Sequence, residues 1–100
     1  MQVKDLMTHN PACCTPSTPL QEVARMMVDC NCGEIPVVDN FDSMQPLGAI
    51  TDRDITCRTV AKGLNPLTMT VDSCMTRPCV TIPEEASLDE CCQLMEENLI

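Results

Sequence analysis

Aromatic side chains are almost missing from this chain of 100 residues, which has one Phe and neither Trp nor Tyr. It therefore lacks the stacking platforms that usually hold single-stranded nucleic acid, and Val, Ile, Leu, Met and Cys must fill its core. Basic residues are scarce too, six against fifteen acidic ones, for a net charge of −9. Such a chain repels nucleic acid and anionic membranes, so neither is expected as a partner. Any positive pocket must be local, and Arg53, Arg58 and Lys62, on or beside one predicted helix, are its candidates. No apolar run approaches the roughly 18 residues of a membrane-spanning helix. Glycine is limited to three residues, none in a Walker pattern, and histidine to His9, which reads as a solvated or capping residue. With no Ser/His/Asp set in a supporting motif, the chain is expected to be non-catalytic and to require no cofactor.

Cysteine, by contrast, is abundant: nine residues, an odd number. Met1 leads straight into a polar segment, without a leader-like apolar stretch, and several cysteines fall at predicted core positions, Cys91 and Cys92 among them. Packed thiols in a reducing cytoplasm fit this pattern better than a disulfide framework. The spacings Cys13-Cys14, Cys30-x-Cys32 and Cys91-Cys92 contain no C-x-x-C pair, so no metal site is expected. Cys13, Cys14, Cys74 and Cys79, near predicted element ends, are the residues a redox or zinc-sensing role would use. A chain of this length supports one modest core.

In order, Val3–Thr8 reads as a short arm or a single helical turn, and Pro11–Pro16 as an extended piece held between prolines. Thr18 and Gln21 predict a capping box, with Pro19 at the first helical position. Leu20, Val23, Ala24 and Met27 recur at helical spacing and predict a buried face, with Gly33 as the C-terminal glycine. Ile35–Val38 is a predicted strand, with Pro36 at its beginning or on an exposed edge. After a polar loop, Leu47–Ile50 is the next strand, antiparallel to the first. It breaks into Thr51-x-x-Asp54, a capping signal for a helix carrying Ile55 and Val60 to about Lys62 and stopping at Gly63. A strand handing over to a helix N-terminus also suits an anion such as phosphate.

The chain then starts again. Val71-x-x-x-Met75-Thr76 echoes Val3-x-x-x-Met7-Thr8, and Leu88-x-Glu90 with Leu94-Met95 echoes Leu20-x-Glu22 with Met26-Met27, at the offset that carries Val3 to Val71. Pro78–Pro83 echoes Pro11–Pro16 at one residue less. Ser87 and Glu90 offer a second capping box, one position out of register with Thr18 and Gln21. Leu88, Cys91, Cys92, Met95 and Leu99 form the second apolar stripe. The repeat thus divides the chain at 1–69 and 70–100, the second copy breaking off before its strands. A stripe with no sheet to cover implies an exposed apolar surface, and either a truncated chain or a half completed by another chain.

Five elements in order, the arm, the extended Cys13-Cys14-Thr15-Pro16, the helix from Pro19, Ile35-Pro36-Val37-Val38-Asp39 and Gly48-Ala49-Ile50-Thr51-Asp52-Arg53-Asp54, resemble the cystathionine-beta-synthase (CBS) domain family over the whole chain. The resemblance implies an α+β fold of β-α-β-β-α units, one complete motif plus the first half of a second in a tandem pair (a Bateman module). It implies pairing into homodimers and a cleft between motifs for an adenosine-containing ligand: AMP, ADP, ATP or S-adenosylmethionine. By the family pattern G-x-x-T-x-x-D, Asp54 would hold the ribose hydroxyls and Thr51 would help with phosphate, as would Arg53. Ile35, Pro36 and Val37 would line the adenine slot, with Cys14, Thr15 and Pro16 as its other wall. The chemistry agrees, since one carboxylate accepts from both hydroxyls of a ribose. The expected function is a regulatory nucleotide-binding module; the alternative is an assembly module that binds no nucleotide.

Overall fold

The computed structural model describes residues 1–100. The chain forms α1 (Val3–Leu6), α2 (Leu20–Cys30), strands β1 (Glu34–Val38) and β2 (Pro46–Thr51), α3 (Asp52–Arg58) and α4 (Leu88–Glu97), with single 3-10 turns at Val60–Lys62, Pro66–Thr68 and Val71–Ser73. No helix is long and apolar enough to cross a membrane. Two compact units result: Pro11–Cys79, and Met1–Asn10 together with Val80–Ile100.

In the first, β1 and β2 pair antiparallel, with Ile35 opposite Ile50 and Val37 opposite Gly48. Single-residue bridges extend this hairpin on both sides, Cys14 parallel to Val37 and Thr76 antiparallel to Ala49. Counting the Cys14 bridge as the opening strand, the unit runs β-α-β-β-α, the α+β order expected. Pro36 lies mid-strand rather than at its start. It tolerates that position because Ala49, opposite it, turns its N–H and C=O to Thr76, so no β2 group awaits a donor from residue 36. Leu20, Val23 and Met27 of α2 pack with Cys14, Ile35, Val37, Ile50, Val71, Cys74 and Met75 in the core. Thr59 is also fully buried, and its hydroxyl is satisfied by donating to the Ile55 carbonyl at 2.6 Å.

Several local expectations change. Pro19, not Thr18, occupies the N-cap of α2; the Thr18 hydroxyl instead accepts from the Thr15 N–H at 3.0 Å. Asn31, left-handed at φ 51°, ends α2 in place of Gly33. Ala24 is exposed, so the buried face of α2 is narrower than its spacing suggests. The helix after Thr51 stops at Arg58 and tightens into a 3-10 turn to Lys62, closed by Gly63 at φ 72°, and Val60 is exposed.

The second unit has no fully buried side chain. Ser87 caps α4 by accepting from the Glu90 N–H at 3.1 Å, as its spacing predicts. Leu88, Cys91 and Leu94 are half-buried, but Cys92 and Met95 are exposed and Leu99, past the helix end, is 92% exposed. The predicted stripe is therefore narrower than the sequence suggests, and its outer members face solvent.

The two copies of the repeat exchange their arms. Val71 and Asp72 N–H groups donate to Thr18 and Pro16 carbonyls, and the Leu20 N–H to Met69. At the matching positions, Val3 and Lys4 donate to Ala86 and Glu84, and Leu88 donates to Met1. The isolated bridges follow suit, Pro19 with Thr70 and Ser87 with Gln2. These bonds keep the offset that carries Val3 to Val71 at Pro16 and Thr18 as well, and they bring Pro19 and Ser87 into register as the two N-caps.

Candidate functional site

The nine residues expected at a ligand site all belong to the Pro11–Cys79 unit. Cys14 lies beside β1, its N–H donating to the Pro36 carbonyl at 3.0 Å and its carbonyl accepting from Val38 at 2.8 Å. That parallel pairing sets Cys14 beside Val37, between Pro36 and Val38, and sends Thr15 and Pro16 on in the direction of Val38, away from Ile35. Ile35, Val37 and Cys14 point into the core, at 1% exposure or less, while Thr15, Pro16 and Pro36 are half-buried. A ligand here would meet main chain and the half-buried residues, not the side chains of Ile35 or Val37.

Thr51 ends β2 opposite Glu34, next to the Ile35–Ile50 pair. The capping box predicted from its spacing is complete: the Thr51 hydroxyl accepts from the Asp54 N–H, and the Asp54 carboxylate accepts from the Thr51 N–H, both at 3.0 Å. Asp54 does more than cap. Its side chain is only 13% exposed, and the Thr76 hydroxyl straddles both carboxylate oxygens, at 3.1 Å from Oδ1 and 3.2 Å from Oδ2. Arg58 Nε lies 3.9 Å from Oδ1. The guanidinium of Arg58 is committed elsewhere, donating to the carbonyls of Cys74 at 3.1 Å and Met75 at 2.8 Å. It fastens the 70–76 arm rather than offering an open positive pocket. Arg53 is exposed at the first turn of α3, and Lys62 is exposed beyond its end.

Sequence reasoning missed Thr76 as a neighbour of Asp54. The available signal was its place in the repeated Met-Thr pair, Met7-Thr8 and Met75-Thr76, but the two residues lie 22 positions apart. Gly48 is the fold's other hidden requirement. A Cβ there would collide with the Thr76 carbonyl oxygen and meet Met75 Cε at 2.9 Å, so only glycine lets the arm lie against β2 at this point.

The core cysteines are poor redox sensors. Burial, helped by Cys13 and Glu22, pushes the Cys14 thiol up to about 11, and burial raises Cys74 also. At neutral pH an aromatic disulfide reagent should therefore label exposed Cys30, Cys32, Cys57 and Cys92 quickly, and Cys14 and Cys74 only on unfolding. Rapid modification of Cys14 in the folded chain would contradict its burial. A thiol harder to ionise when folded contributes stability that is complete below its unfolded value near 9.0 and is lost as pH rises toward about 11. Thermal stability should accordingly fall across that alkaline window, and Cys14→Ala should flatten the fall.

The structure is thus a small α+β unit with a hydroxyl-accepting carboxylate at its strand-to-helix junction. The family model described as CBS domain matches residues 3–58 and 71–100, and the chain belongs to that family as a tandem pair of motifs. It is 39% identical over 97 residues to the uncharacterized protein YlbB of Bacillus subtilis, covering 97% of this chain and 64% of that one. The chain thus spans slightly less than two thirds of that relative. Among solved structures, an uncharacterized conserved protein from Pyrococcus horikoshii superposes with a TM-score of 0.85 at 30% identity, over 99% of this chain and 73% of its own. The CBS domain pair of protein MJ0100, solved in complex with 5′-methylthioadenosine and S-adenosyl-L-methionine, gives a TM-score of 0.81 at 26% identity, over 100% and 75%. The chain is therefore a CBS-domain regulatory module.

Proposed function

We propose that this module binds an adenosine-containing ligand through Asp54 and carries out no catalysis itself. The observation behind this reading is the state of that carboxylate. It is largely buried, fixed by the Thr51 N–H, and receives a hydroxyl across both oxygens. A vicinal diol asks for the same seat and offers two donors instead of one. Thr15, Pro16 and the half-buried Pro36, with the main chain of Cys14, Ile35 and Val37, supply the less polar surface suited to a purine. The ligand complex of the MJ0100 pair supports the ligand class. The repeats at 1–69 and 70–100 are taken as two CBS motifs of one regulatory unit, in the cytoplasm on account of its thiols. Exposed apolar side chains such as Leu6 and Met95 favour a homodimer, which light scattering would test.

The second reading, an assembly module without a nucleotide, has its own support: Thr76 already fills the seat on Asp54. A thermal-shift screen with AMP, ADP, ATP and S-adenosylmethionine separates the two. A ligand held at a hundred times its Kd stabilises the native state by about 2.7 kcal/mol, a plainly measurable rise in Tm. A flat response to all four up to millimolar ligand favours assembly alone.

A further inference from the structure

We infer that the Asp54 site selects adenosine compounds with a neutral or cationic 5′ substituent and discriminates against nucleoside phosphates. This rests on the ligand reading above and concerns the charge of what is held. A phosphate is ordinarily gripped by unpaired backbone N–H groups and by Arg or Lys. Here the opening N–H groups of α3 are already used: Asp52 donates to the Gly33 carbonyl at 2.9 Å, Arg53 to Asp52 Oδ1 at 2.8 Å, and Asp54 to the Thr51 hydroxyl at 3.0 Å. Two of the cations are committed as well. Arg58 is spread over two carbonyls and Asp54, and Arg77 is held by Asp72 at 2.7 Å. Lys62 lies past the far end of α3, and against Arg53 in the first turn stand Asp52 and Asp54 in that same turn and Glu34 directly across from Thr51. A phosphate beside the ribose would bring negative charge to a junction that is already net negative. A sulfonium or thioether there meets no repulsion.

Calorimetric titration of the full chain with 5′-methylthioadenosine, S-adenosylmethionine, AMP and ATP tests this at low and high salt. The first two should bind about tenfold or more tightly than ATP, with AMP between, and salt should narrow the gap by screening. Asp52→Asn keeps the acceptor for the Arg53 N–H while removing a charge. It should tighten ATP about threefold and leave 5′-methylthioadenosine unchanged. ATP or AMP binding at low salt as tightly as 5′-methylthioadenosine would overturn the selectivity while leaving the Asp54 reading standing. Absence of binding by all four overturns both.

Discussion

Replacing Gly48 by alanine should cost about 3 kcal/mol, the upper part of the range for overpacking a well-filled site. The added methyl points at a backbone carbonyl, which cannot rotate away as the end of a long side chain could. Thr76 is pinned there by its N–H to the Ala49 carbonyl at 2.8 Å and by the reciprocal bond at 3.1 Å. Relief requires the arm to lift, which would open the core that Val71, Cys74 and Met75 complete. Urea denaturation should show a much lower midpoint, and hydrogen exchange should show loss of protection at Ala49 and Thr76 before the rest of β2. An alanine variant as stable as the parent would mean that the arm yields easily.

Asp54 is the second position where one substitution should have a large effect, and two variants divide its roles. Asp54→Ala removes the carboxylate half of the capping box, the seat of Thr76 and the partner of Arg58, and should lower stability by about 1–2 kcal/mol, the cost of leaving hydrogen-bond donors without their acceptor. It should also abolish any ligand-induced rise in Tm. Asp54→Asn keeps an acceptor for the Thr51 N–H and leaves Thr51 in place as the N-cap, so the fold should stay within about 1 kcal/mol of the parent. The charge-assisted bonds to ribose are lost, however, and affinity should drop tenfold or more. Asparagine binding the ligand as tightly as aspartate would remove Asp54 from the recognition mechanism.

What the sequence made legible is largely what is local. The pairing of Ile35 with Ile50 follows from two short apolar runs across a polar loop, and the Thr51–Asp54 box spans three residues. The family resemblance rested on those same stretches. Less legible were features decided by distant chain. Thr18 loses its capping role because its hydroxyl serves Thr15, while its carbonyl receives Val71. Arg58 looked like an anion ligand because its partners, the carbonyls of Cys74 and Met75, carry no side-chain signature and lie 16 and 17 residues on. The contact of Thr76 with Asp54 was hidden for the same reason of separation. The second apolar stripe was overestimated because helical spacing records which residues share a face, not whether anything covers it.

The exchanged arms have a consequence for how the chain can be divided. A cut at residue 69, where the repeat suggests one, would remove Val71, Cys74 and Met75 from the core built on Pro11 onward. Offered back as a separate peptide, the arm would behave as a ligand with its own dissociation constant. Joined through Met69 and Thr70, it is held at the effective concentration of a short tether, in the millimolar range. The link between the two motifs is thus more than a spacer: it holds an internal peptide at its docking site without the entropy loss a free peptide would meet.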